Sequence, residues 1–237
     1  RVLEQEDRMP GARWFPQARL NFAENLLRGR DQHDALVFWG EDRVKQRLSG
    51  GELYNRVSRL AQALSSMGVV TGDRVAGYLP NMPEAVIAML ATTSLGAIWS
   101  SCSPDFGVNG VVDRFGQIEP KVLFAADGYY YNGNQFDCLS KIAEIKERIA
   151  SLQRVIVVPY TRAELDLDSI AGACSLADFS APFQSRDIVF KQLPFDHPVY
   201  IMFSSGTTGV PKCIVHGAGG TLLQHIKELR LHTDVRP

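Results

Sequence analysis

Three short stretches of this chain are apolar at nearly every position: "KVLFAAD" at 121–127, "RVIVVP" at 154–159 and "PVYIMFS" at 198–204. A strand with one wet face alternates apolar and polar residues, so unbroken runs of this kind mark strands buried on both faces. "DRVAGYLP" and "AIWSSCS" read as two more strands. The segments between them carry helix signals. Ser49 and Glu52 form a capping box ahead of an apolar stripe, Leu53, Val57, Leu60, Ala61 and Leu64, and Gly68 closes that helix. Asn81 and Pro83 start a nearly all-apolar helix that runs to about Gly96. "VNGVVDRFGQIEP" is a helix closed by Pro120, and "CLSKIAEIKERIASL" is amphipathic. Strands buried on both faces and alternating with helices define an α/β fold: a mostly parallel sheet flanked by helices.

The remaining segments are less regular. "ARLNFAENLL" places Leu20, Ala23, Leu26 and Leu27 at helical spacing with Asn21 and Glu24 as a capping pair, and "ALVFWGEDRVKQRLS" reads as a hairpin turning near Gly40–Asp42. "GYYYNGNQFD" reads as a polar, aromatic loop, and residues 160–195 follow no clear period. "KCIVHG" is a strand, followed by a helix from about Gly219. The net charge of −1 leaves no basic face for nucleic acid or an anionic membrane. The longest nearly apolar window, Ala85 to Trp99, is too short to span a bilayer. Cys102, Cys138, Cys174 and Cys213 lie far apart with no C-x-x-C pair, which argues against a zinc site or a thioredoxin-type motif. Reduced thiols and a cytoplasmic location are therefore expected. The chain opens without Met and stops directly after a helix-like stretch, so a piece of a longer protein is expected.

Chemistry concentrates in "VYIMFSSGTTGVPKCIVHG", 199–217, where two strand-like runs flank a string of hydroxyls, glycines and one lysine. A phosphate-binding loop needs converging N–H groups, hydroxyl donors and a cation. Ser204, Ser205, Gly206, Thr207, Thr208 and Gly209 with Lys212 supply all three, directly after a strand, where open α/β sheets place ligands. It is not a Walker A loop: Cys213 follows the lysine where that motif has the Mg²⁺-binding hydroxyl, and a strand follows in place of a helix. The plain alternative is a turn between two strands, since Ser, Gly and Thr are common there.

"SSGTTGVPK" resembles the phosphate-loop signature of the adenylate-forming enzymes, which include acyl-CoA synthetases, peptide-synthetase adenylation domains and luciferases. "ARWFPQARLNFAENLL" and "HGAGGTLLQH" resemble the short-chain branch, and "SSCSPDFGVNGVVDRFGQIEPKVLFAADGYYYNG" resembles its acetoacetyl-CoA synthetases. The resemblance implies ATP, CoA and Mg²⁺ as cofactors and acetoacetate as substrate. ATP phosphates would be held by Ser204, Ser205, Gly206, Thr207, Thr208, Gly209 and Lys212, and His216 would lie near the acyl pocket. It also implies that 1–237 is an incomplete N-terminal AMP-binding domain. The adenine-binding region, the Mg²⁺-associated glutamate and the small C-terminal domain would follow it. Acetyl-CoA synthetases carry CoA-contacting arginines where this chain has Tyr129, Tyr130, Tyr131, Asn132 and Asn134, so no CoA residue is assigned. Two other readings stand beside this one: a synthetase for acetate or propionate, and a stand-alone nucleotide-binding module without ligase activity.

Other residues have plainer readings. His216 at a strand end satisfies local backbone groups in the ordinary case. Trp99 and the Tyr129–Tyr131 cluster are read as sheet-edge core aromatics over nucleotide stackers. Asp105 and Asp113-Arg114 read as a helix start and a surface pair. Cys102 and Cys213 lack activating neighbours in the sequence. Gly219-Gly220 are candidate close-approach glycines at a helix N-terminus.

Overall fold

The computed structural model describes residues 1–41, 43–204 and 209–236. Its centre is a sheet of seven strands: β1 (Arg74–Tyr78), β2 (Ile98–Cys102), β3 (Val122–Ala126), β4 (Arg154–Val158), β5 (Ala173–Ser175), β6 (Pro198–Ser204) and β7 (Lys212–Gly217). Their spatial order is β5-β4-β3-β1-β2-β6-β7. Neighbours are parallel from β5 through β6, and β7 returns antiparallel along β6. The five longer helices among the described residues pack around it: α1 (Gly50–Ser66), α2 (Pro83–Ser94), α3 (Val108–Ile118), α4 (Leu139–Arg148) and α5 (Ala218–Lys227).

The unbroken apolar runs have the physical cause expected of them. Val122, Phe124 and Ile156 pack with Val57, Leu60, Leu64 and Ile87 of α1 and α2. Their sequence neighbours Leu123, Ala125, Val155 and Val157 pack with Val111, Phe115, Ile142 and Ile145 of α3 and α4. Successive side chains point to opposite faces of a strand, so a strand covered on both sides needs an apolar residue at every position. The capping box at Ser49 and Glu52 forms as read, with each side chain accepting from the other's backbone N–H.

Two segments differ from their sequence reading. "GYYYNGNQFD" is a hairpin, Gly128–Tyr131 paired with Asn134–Asp137, not a loop. Its turn is Asn132-Gly133, both at positive φ (49° and 77°), the backbone that an Asn-Gly pair adopts between two twisted strands. The helix at "ARLNFAENLL" spans only Phe22–Leu26. Leu20 leaves it to pair with Leu193, and Leu26 faces solvent. Asn21 does cap that helix, accepting from the Glu24 N–H, but its amide also donates to the carbonyls of Thr93, Ser94 and Lys191 at 2.9–3.1 Å. The local cap sets where the helix begins, and the tertiary bonds of the same side chain fix that point to the rest of the fold. The final helix starts at Ala218 and opens into a π-type turn over Glu228–His232.

The connection leaving β1 is α2, on one face, and that leaving β2 is α3, on the other. The helix leaving β3, α4, lies on the face opposite α2, so the carboxyl ends of the neighbouring strands β1 and β3 form the topological switch point, the place where open α/β sheets bind ligands. β6 runs parallel to β2 and delivers its own carboxyl end on the same edge of the sheet, two strands from β1. Among the described residues, no helix is long and apolar enough to cross a membrane.

Candidate functional site

The hydroxyl loop joins the carboxyl end of β6 to β7. Val199 and Ile201 anchor β6 in the core, and Ser204 ends the strand half-buried, opposite Lys212 in the β6–β7 register. Ser205, Gly206, Thr207 and Thr208 lie outside the described residues. The chain resumes at Gly209 with φ +97°, a conformation that strains any L side chain. Val210 is exposed, and Lys212 opens β7 with its side chain in solvent. Ser204 and Lys212 thus face each other at the mouth of the loop, with Gly209 three residues before Lys212 in the chain.

Among the described residues, β6 meets β2 at two positions, Tyr200 with Trp99 and Ile201 with Ser100. At the second, the buried Ser100 hydroxyl donates to the Ile201 carbonyl at 2.8 Å and fastens the strand that carries the loop. The segment leaving β2 is held in a similar way. The hydroxyl of Tyr78, the last residue of β1, lies 2.7 Å from the carbonyls of both Pro104 and Phe106. Burial pushes the ionisation of Tyr78 well above the usual phenol range, so it stays a neutral donor. Neither residue was singled out from the sequence. A Ser or Tyr at the end of an apolar strand was the available signal, and only the fold shows what it touches.

A cavity of about 450 Å³ lies beside β7 and α5, with Tyr200, His216, Gly217, Thr221 and His225 in its wall and Arg13 at its edge. His216 is half-buried, its ring 5.1 Å from that of Tyr200. No hydrogen bond of its ring is found among the described residues, which does not fit the reading of a strand-end histidine satisfying local backbone. His225 was missed. It sits one helical turn beyond Thr221 on the same face of α5, and its ring meets the edge of Phe22 at 6.4 Å. Gly219 is a close-approach glycine, because the Phe195 ring occupies the space a Cβ would need. Gly220 faces the cavity with open space beside it.

The remaining candidates are structural. Trp99 is buried against Phe124 and covers Gly77, where a Cβ would lie 2.6 Å from the indole. Tyr129 stacks on Phe136, and Tyr130 is held between the Tyr160 ring and the Arg43 guanidinium. Tyr131 points outward. Glu41 accepts from the N–H groups of Asn132 and Gly133, so the tip of one hairpin grips the tip of the other. Arg114 lies over the Phe106 ring and bonds to the Gly110 carbonyl, and Asp105 sits in the turn before Gly107, the cap of α3. Burial pushes the Cys102 thiol up to about 12 and that of Cys138 to about 11, the opposite of an activated nucleophile. Among the described residues, no group of His, Cys, Asp and Glu is placed to hold a metal ion.

Comparison with known proteins places this geometry. The model of the AMP-binding enzyme family matches residues 22–235. The chain is 56% identical over 237 residues to an acetoacetyl-coenzyme A synthetase of Rhizobium meliloti (strain 1021), covering 100% of this chain and 36% of that protein. It is 42% identical over 240 aligned positions to a malonamoyl-CoA synthetase of Penicillium aethiopicum, covering 96% of this chain and 33% of that protein. Among solved structures, the acetoacetyl-CoA synthetase from Streptomyces lividans superposes with a TM-score of 0.92 at 44% identity, over 100% of this chain and 36% of that one. The chain therefore spans about a third of the length of these relatives. With its strand–loop–strand at the carboxyl edge of a parallel sheet and a family match running through nearly all of its length, the chain belongs to the AMP-binding enzyme family.

Proposed function

We propose that this chain is the N-terminal part of an acetoacetate–CoA ligase of the AMP-forming type, the rest of the catalytic apparatus lying in a longer protein. The observation that carries the reading is the 56% identity to an acetoacetyl-coenzyme A synthetase over the entire chain. The position of the hydroxyl loop after a strand that ends on the carboxyl edge of the parallel sheet supports it. Ser204, Ser205, Thr207 and Thr208 donate to ATP phosphates, Gly206 and Gly209 let the backbone approach them, and Lys212 adds charge. The acid's carboxylate oxygen attacks the α-phosphorus, forming the acyl–AMP anhydride and releasing pyrophosphate. CoA thiolate then attacks the acyl carbon, forming the thioester and releasing AMP. Oxide is a poor leaving group and AMP a good one; the loop stabilises charge on the departing pyrophosphate. Mg²⁺ accompanies ATP, with protein ligands outside this chain, and the CoA contacts are left unassigned.

The acyl group is assigned to the cavity beside His216 and His225. The relatives' names favour an acid with a carbonyl two carbons from the carboxylate, since acetoacetate and malonamate share that feature. The test is the longer protein assayed with ATP, CoA and a panel of acetoacetate, malonamate, acetate and propionate. The expected outcome is the highest kcat/KM with acetoacetate. Preference for acetate or propionate would replace this reading with that of another short-chain synthetase. Nucleotide binding without pyrophosphate release would leave a binding module. The 237-residue chain alone is expected to form no acetoacetyl-CoA.

A further inference from the structure

We propose that Gln117 is a positioning residue of the phosphate grip, tying the returning limb of the hydroxyl loop to α3. This rests on the reading of that loop as the ATP phosphate site. The Gln117 Nε2 donates to the Pro211 carbonyl at 2.8 Å and to the Asp113 carbonyl, one turn back on its own helix, at 2.6 Å. Its Oε1 faces the Cys213 Sγ at 3.7 Å, a weak S–H donor contact. Pro211 and Cys213 are the two chain neighbours of Lys212, so one amide bonds the backbone on one side of the lysine and meets the side chain of its neighbour on the other.

Little else does so. No other hydrogen bond among the described residues reaches Gly209, Val210 or Pro211 from elsewhere in the fold, and the β6–β7 ladder begins only at Lys212. The helix that bears Gln117 is itself rigid. Phe115 and Ile118 are buried in the core, and the segment entering α3 is pinned by Tyr78. The amide therefore refers a limb with no packing of its own to a fixed element. The side chain must donate to a carbonyl and accept from a thiol at once, which Gln does and Glu or Met does not. Alternation along β7 turns Lys212 away from the face that Cys213 presents to Gln117, so the tether leaves the lysine free for a ligand.

The experiment measures steady-state kinetics of the longer protein carrying Gln117→Met, Gln117→Glu or Lys212→Met. Loss of one net hydrogen bond predicts that Gln117→Met raises KM for ATP roughly three- to tenfold, with KM for the acid and CoA and the thermal midpoint unchanged. Gln117→Glu, which keeps the size and the acceptor but not the donor, should match or exceed that rise. If Lys212→Met raises KM for ATP and both Gln117 variants leave it at the parent value, the positioning role is wrong and the phosphate grip stands. If Lys212→Met also leaves it unchanged, the phosphate-grip reading fails and this inference falls with it. A lowered midpoint with all three KM values unchanged would make Gln117 a structural residue only.

Discussion

Single polar side chains hold the irregular segments at the carboxyl edge of the sheet. Asp127 is fully buried and accepts from the N–H groups of Tyr160 and Thr161 and from the Thr161 hydroxyl, fixing the exit of β4. Tyr78 does the same for the exit of β2. Tyr78→Phe leaves two carbonyls without that partner and should cost about 1–3 kcal/mol, read as a lowered urea midpoint of the longer protein. Glu84, in the first turn of α2, behaves differently. Burial raises its pKa, and Arg56 at 3.6 Å offsets this only partly. The folded state therefore keeps the proton to higher pH than the unfolded chain does. This group's contribution to stability declines as pH rises from the ordinary carboxylate pKa through the raised one, and stays lost above it. Glu84→Gln should be more stable than the parent at pH 8, with the gap closing below about pH 4. A gap that is constant across a pH series of unfolding curves would contradict this.

At the scale of elements, the sheet and its covering helices were legible because burial on two faces and amphipathic spacing are local patterns. The hairpin at Gly128–Asp137 was equally written in Asn132-Gly133, but the surrounding tyrosines and amides obscured the alternation. Replacing Gly133, at φ +77°, with Ala should destabilise this hairpin by about 1 kcal/mol. Because Glu41 grips the same turn, proteolysis at the tip should quicken in the variant. The cap at Asn21 was legible because it is local, but nothing local says that the same side chain also donates to three carbonyls 70 or more residues away.

Over the whole molecule, apolar side chains stand exposed along one margin: Ile214 and Val215 on the edge strand β7, Leu223 and Ile226 on α5, and Leu229 and Leu231 in the turn beyond. An open sheet edge beside such a surface favours association. The isolated 237-residue chain should self-associate with rising concentration and bind an apolar dye, both measurable by sedimentation and fluorescence. A chain that stays monomeric and dark would contradict this. The sequence by itself determined the α/β class, the alternation that builds a parallel sheet, and the composition of the hydroxyl loop, because each is set by neighbours within a few residues. Only the tertiary structure decided that the strand carrying the loop pairs with β2, that His216 and His225 share a cavity, and that Gln117 reaches Pro211. These depend on strand order and helix placement, which arise from packing between segments far apart in the chain.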